Sequence, residues 1–185
     1  SLNIARQRAD VLGFMTRARF YNANVEELSK IVPIEQYDLI YSFGVLHHTP
    51  NPERALEELK RYIVPGGTLK IMVYNKWSWK VLWIWAKFGG FCGLGDLDGL
   101  IARYSEAQTG CPVTYTYTRK SVKALLQGFT VRDVRVDHIF PYEIDAYKKH
   151  EYRKVWYFRI LPRLVFRALE RLLGWHLCVT AVRNS

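Results

Sequence analysis

Residues 37–75, YDLIYSFGVLHHTPNPERALEELKRYIVPGGTLKIMVYN, decide the fold. The run from Tyr37 to Val45 is apolar on both faces, the pattern expected of a buried parallel strand, and it ends near Gly44 before a loop. Asn51 suits a helix cap, Pro52 the first helical position and Glu53 the positive end of the helix. Ala55, Leu56, Leu59, Tyr62 and Ile63 then recur at helical spacing as one apolar stripe. Pro65-Gly66-Gly67 stops that helix and turns the chain, and Thr68–Tyr74 reads as the next strand. Strand, helix and strand over this length predict a right-handed crossover with parallel strands.

Working outward, residues 2–12 place Ile4, Ala5, Ala9 and Leu12 on one face of a helix. A short strand is expected around Arg19–Ala23, running into an Asn-containing loop. Downstream, residues 76–88 are helical by pattern. The glycines of residues 89–99 follow that helix rather than a strand, which argues against a phosphate loop. Residues 104–118 are irregular and aromatic. A helix is expected over Arg119–Gln127, with Thr118 as cap and Gly128 as stop. Residues 130–140 alternate as a strand, residues 142–174 read as mostly helical with a break near Pro162, and residues 175–183 form a closing strand. One α/β domain over 1–185 with a helical insertion accounts for this order. It divides into a half spanning 1–75, an insertion or lid at 76–118 and a basic part at 119–185.

A chain of 185 residues with 49% hydrophobic and 24% charged residues can bury one ordinary core. The net charge of +10 is concentrated at one end, since residues 119–185 hold fourteen Lys/Arg against six Asp/Glu. That excess suits an acidic substrate, an anionic membrane or a solvated cationic surface. Nucleic acid is disfavoured because no recognised module accompanies the charge. Cys92, Cys111 and Cys178 are scattered and odd in number, which argues against a disulfide framework and a zinc site and favours a reducing, cytoplasmic setting. No signal peptide is read at the start, and the Trp-rich stretch at 77–91 is interrupted by Lys80 and Lys87 and too short to span a bilayer.

The order of motifs in residues 37–75 resembles the central part of class I S-adenosylmethionine-dependent methyltransferases, in particular the ubiquinone-biosynthesis-type branch. The carriers are the hydrophobic strand, the "LHH" loop, the acidic helix, "PGG" and the following strand. Upstream, "NANVEEL" is similar to the family's "ADAEDL" segment, and the last two strands are similar to its terminal antiparallel pair. The resemblance implies a Rossmann-like sheet of order 3-2-1-4-5-7-6, S-adenosylmethionine as cofactor and a small or lipophilic methyl acceptor. No G-x-G precedes residue 89, so it also implies an N-terminally truncated sheet lacking its first two strands. The strand from Tyr37 then becomes an exposed edge, suited to homodimer formation or to cover by a displaced N-terminal segment.

The resemblance assigns cofactor contacts to Asn24, Val25, Ser42, Phe43 and Gly44. His47 and His48, at the end of a central strand, could orient an acceptor hydroxyl or accept its proton, or could pack beneath the loop. Glu106, Tyr115, Tyr117 and His138 fall in the segments that roof the substrate pocket. No metal site is expected. Trp77, Trp79, Trp83 and Trp85 could line a tunnel, touch a membrane or pack as a lid. Arg159, Arg163, Arg167 and Arg171 form one helical stripe opposite Leu161, Leu164, Val165, Ala168, Leu169 and Leu172. Such a helix suits an anionic membrane or the surface of a sheet equally. A non-catalytic domain that engages a partner or membrane through this surface is the alternative to the enzyme.

Overall fold

Local capping begins the central crossover as the sequence suggests. In the computed structural model, which describes residues 2–88, 97–106, 113–143, 146–147 and 149–184, Asn51 Oδ1 accepts from the Arg54 N–H at 2.9 Å. Helix α2 (Pro52–Lys60) starts there and buries Pro52, Ala55, Leu56 and Leu59. It ends before Tyr62 and Ile63, which are buried outside the helix. Before it come α1 (Leu2–Val11), a 3-10 turn at Val25–Lys30 and strand β1 (Tyr37–Phe43). Strand β2 (Ile63–Asn75) follows, with Pro65-Gly66-Gly67 inside its first, irregular part, where the β1–β2 register shifts between Tyr37 and Leu39.

The chain continues through α3 (Trp79–Phe88), α4 (Leu97–Ile101) with a π-helical extension at Ala102–Glu106, and the two-residue β3 (Thr116–Tyr117). Thr118 caps α5 (Arg119–Leu125), accepting from the Ser121 N–H while the Ser121 hydroxyl closes the box. Strand β4 (Phe129–Asp137), the short helix α6 (Trp156–Arg159), α7 (Arg163–Leu173) and β5 (His176–Arg183) complete it. The sheet order is β1-β2-β5-β4, with β3 added to the end of β2. Strands β1 and β2 are parallel, and β5 runs antiparallel to both β2 and β4. This is the 4-5-7-6 portion of the order that the resemblance implies.

One face of the sheet carries the main core. Leu69, Ile71 and Val73 of β2 lie beside Ala181, Val179 and Leu177 of β5 in register. They pack with Leu46, Leu56 and Leu59 from the α2 side and with Val122 and Leu126 from the α5 side. A satellite cluster of Val81, Leu97, Ile101 and Trp175 holds α3 and α4.

Three expectations are corrected. Residues 19–23 form no strand and belong to no ladder among the described residues. Strand β1 is not buried on both faces. Leu39 and Tyr41 are 54% and 65% exposed, because β1 is paired on one side only and α1, with no buried residue, does not cover it. Within 142–174 the described helices are short α6 and α7, while residues 151–155 run extended, bridged at Lys154 to Tyr142. The glycine-rich loop, Cys92 and Cys111 lie outside the described residues in whole or part; Cys178 is a free thiol. No described helix is long and apolar enough to cross a membrane.

Candidate active site

The carboxyl ends of β1 and β2 gather an unusual number of rings. Strand β1 ends at Phe43, and Gly44 follows with φ +76°, a left-handed conformation that favours glycine. Its N–H donates to the Met72 carbonyl at 3.3 Å, which sends the chain over the end of β2. Leu46–His48 then form a 3-10 turn. His47 is wholly buried there, its ring 3.8 Å from that of Tyr74 and 4.2 Å from that of His48. Tyr74 stacks in turn on Trp175 at 4.0 Å, and Lys80 Nζ lies 4.4 Å from the Trp175 ring.

Neither ring nitrogen of His47 has a hydrogen-bond partner among the described residues. Burial alone disfavours the imidazolium, and the charges of His48, His176 and Lys80 add to it, so the pKa falls to about 3. The Met72 backbone opposes this weakly, short of hydrogen-bond geometry. His48 is held differently: its Nδ1 lies 3.2 Å from the Val113 carbonyl and 3.3 Å from Thr114 Oγ1. A carbonyl only accepts, so Nδ1 donates in that bond and, in the neutral ring, Nε2 keeps the lone pair. The His47 carbonyl accepts from the Tyr115 N–H at 2.9 Å, tying the turn to the segment that leads into β3.

A second histidine pair sits at the same sheet end, on the face that carries Tyr74. Antiparallel register places His176 beside Tyr74, and His138 follows β4 with φ +67°. Their rings stack at 4.6 Å and 17°, and Phe43 meets His176 edge-on at 5.5 Å. Burial first, then His138 and Lys80, lower His176 to about 4 against the pull of Asp137. It is therefore neutral at physiological pH, with a lone pair to accept a proton or a hydrogen bond. His176 carried no sequence signal. Its place arises from strand register, which joins positions a hundred residues apart, and only a β2–β5 alignment could have exposed it.

The other expected residues are distributed around this end. Asn24 Oδ1 accepts from the Glu26 N–H at 3.0 Å, and Val25 packs against the main core. Glu26 accepts from the Asn51 N–H at 2.9 Å, which draws this turn to the start of α2 beside the end of β1. Ser42 is half-buried and Phe43 half-exposed, on opposite faces as strand geometry requires. His138 joins the site through His176. Tyr115 leans on the main core, and Tyr117 lies within it, where burial raises its hydroxyl pKa. Glu106 ends the π-helical segment, and its side chain lies outside the described residues. No three His, Cys, Asp or Glu side chains come together as a metal site among the described residues.

These groups fit one wall of an S-adenosylmethionine site. The glycine at the strand end leaves the backbone open, Asn24 keeps a second acceptor lone pair and its amide donors, and the buried His47 adds no charge against a sulfonium.

Comparisons with known proteins bear on the family and the fold. The family model described as "Methyltransferase domain" matches residues 1–71. The tRNA U34 carboxymethyltransferase of Hydrogenovibrio crunogenus is 42% identical over 52 residues, which is 28% of this chain and 16% of that protein. The ubiquinone/menaquinone biosynthesis C-methyltransferase of Psychromonas ingrahamii is 29% identical over 123 residues, 66% of this chain and 45% of that one. The chain thus spans less than half the length of either relative. Among solved structures, the YcgJ protein of Bacillus subtilis superposes with a TM-score of 0.62 at 11% identity, covering 100% of this chain and 78% of its own. At that identity the likeness is one of fold.

Proposed function

We propose that this chain, whose residues 1–71 match the methyltransferase-domain family model, serves an S-adenosylmethionine-dependent methyltransferase acting on a small or lipophilic acceptor. The observation that carries the reading is the sheet end itself, where Gly44 opens the backbone and Phe43 meets His176, which stacks on His138. In open α/β sheets ligands bind outside the carboxyl ends of the strands.

S-adenosylmethionine, when bound, supplies an electrophilic methyl group on sulfur. The chain's own residues then have two tasks. The Asn24–Val25 turn and the Ser42–Gly44 strand end hold and orient the cofactor side. His176, steadied by His138, orients the acceptor and takes its proton where the acceptor carries one. Methyl transfer depends chiefly on in-line placement, so the aromatic walls Phe43, Tyr74 and Trp175 matter as positioning surfaces and excluders of water. His47 and His48 support the turn from beneath.

The test is calorimetric titration with S-adenosylhomocysteine, on this chain and on a form extended at its amino end. Saturable binding by at least one form, weakened at least tenfold by Gly44→Val, is expected. No binding by either overturns the reading.

The free edge of β1 completes the proposal. Leu39 and Tyr41 are exposed beside backbone groups that have no ladder partner among the described residues, a surface that pairs readily with another strand. Concentration-dependent dimers in sedimentation velocity are expected, and Leu39→Lys should return the chain to monomer. A monomer at all concentrations removes this part.

A further inference from the structure

The sequence of helix α7 suits an anionic membrane and the surface of a sheet equally. The helix rests on β4, yet it buries no residue completely. Phe166, Leu169 and Leu173 turn inward and are half-buried, whereas Leu164 and Leu172 are 82% and 69% exposed. The helix is therefore rotated so that half of its apolar surface faces out. Spacing of four residues sets Leu164, Ala168 and Leu172 in one outward row, with Arg163, Arg167 and Arg171 in the adjoining row. Just before the helix, Trp156 and Ile160 are 67% and 69% exposed, and both also border the cavity behind it.

The arginines are uncompensated. Arg159, Arg163, Arg167 and Arg171 form no ion pair among the described residues. Behind the helix lies a cavity of about 260 Å³ with almost wholly apolar walls, among them Trp79, Ile139, Phe158, Leu161, Leu169 and Leu173. That is below the size usual for a drug-sized ligand, and its apolar lining suits a stretch of one alkyl chain.

We infer that the outer face of α6 and α7 is an interfacial surface for an anionic phospholipid bilayer, with the apolar cavity behind α7 receiving one acyl chain. An exposed Leu row beside an Arg row is the arrangement of helices that lie in the membrane interface. Trp156 sits where an interfacial anchor belongs. Cationic charge selects an anionic surface, and the row of exposed apolar side chains converts adsorption into shallow insertion. A soluble acidic peptide would use the arginines but leave Leu164, Leu172 and Ile160 in water. This surface stands apart from the methyl-transfer reading, since it needs neither cofactor nor acceptor.

Co-sedimentation tests it with two vesicle preparations, phosphatidylcholine alone and equal parts phosphatidylcholine and phosphatidylglycerol. The chain should partition onto the anionic vesicles at least tenfold more strongly, and added salt should weaken binding. Leu164→Glu with Leu172→Glu should reduce partitioning at least tenfold, as should reversal of Arg163, Arg167 and Arg171 to Glu. These positions are exposed, so unchanged circular dichroism and melting temperature are expected for both variants.

Failure of the wild-type chain to bind anionic vesicles overturns the proposal, including the case where it self-associates through this face instead. So does binding that survives the Leu→Glu pair, because that is surface adsorption without insertion. S-adenosylhomocysteine titration of the same protein is read separately, so loss of one reading leaves the other measurable.

Discussion

At the scale of single residues, His47 shows how an ordinary-looking position becomes costly. Its burial was one of two readings open in the sequence, and the missing ring partners were not readable, because they depend on what surrounds the turn in space. A buried imidazole held near pKa 3 makes stability depend on pH with a definite sign. The unfolded chain takes up a proton below about 6.5, and the folded chain does so only near 3. The stability present at neutral pH is therefore lost as pH falls from about 6.5 toward 3. By pH 5 the loss from this group is about 2 kcal/mol. Carboxylates titrate mainly below that, so the window from about pH 6.5 to 5 isolates the histidines, His176 included. Replacement of His47→Phe should flatten the dependence of the urea midpoint on pH in that window. A slope unchanged by the substitution would mean that His47 is protonated or solvated in the folded state. His176 teaches the complementary lesson: no motif surrounds it, and only long-range register makes it part of a site.

At the scale of elements, what was legible was local. The cap at Asn51, the box at Thr118 and Ser121, and the parallel crossover all rest on residues a few positions apart. The strand expected at residues 19–23 and the full burial of β1 both depended on neighbours that a short segment cannot specify. The join of α7 to β5 is another tertiary feature. Asn75 of β2, buried, donates its side-chain amide to the Gly174 carbonyl at 2.9 Å, and its N–H donates to the Trp175 carbonyl at 2.8 Å. A Cβ on Gly174 would fall 2.3 Å from the Asp137 carbonyl oxygen and 2.5 Å from that of Glu170. Both obstacles are backbone, so relief requires the end of β4 or of α7 to move. Gly174→Ala should cost about 1–3 kcal/mol in chemical denaturation, the range for overpacking. It should also disturb the His138–His176 stack, because Trp175 donates its N–H to the His138 carbonyl. Near-UV circular dichroism from Trp175 reports that local change. A variant as stable as the parent would show that this junction is loosely packed.

At the scale of the whole molecule, stability is concentrated in the middle of the sheet. Strands β2 and β5 are each flanked by partners on both sides, and their inward residues form the main core. Helix α1 buries nothing, and α7 touches the sheet only with half-buried side chains. Opening free energies should follow that gradient, since regions with few buried apolar contacts open without global unfolding. In native-state hydrogen exchange, amides of Leu69–Val73 and Leu177–Ala181 should be the slowest and should exchange only through global unfolding. Amides of α1 should exchange near the rate of an unprotected peptide. Those of α7 should lie well below the β2–β5 set and should slow on addition of anionic vesicles, because a seated helix loses its exposed face. Protection of α7 equal to that of β5 in free solution would show the helix already covered, and would contradict the outward rotation that Leu164 and Leu172 record. A molecule built this way has a rigid sheet end, on which rings are held within a few ångströms of one another. A loosely held basic helix lies at its periphery, where surface contact can be made without disturbing the site.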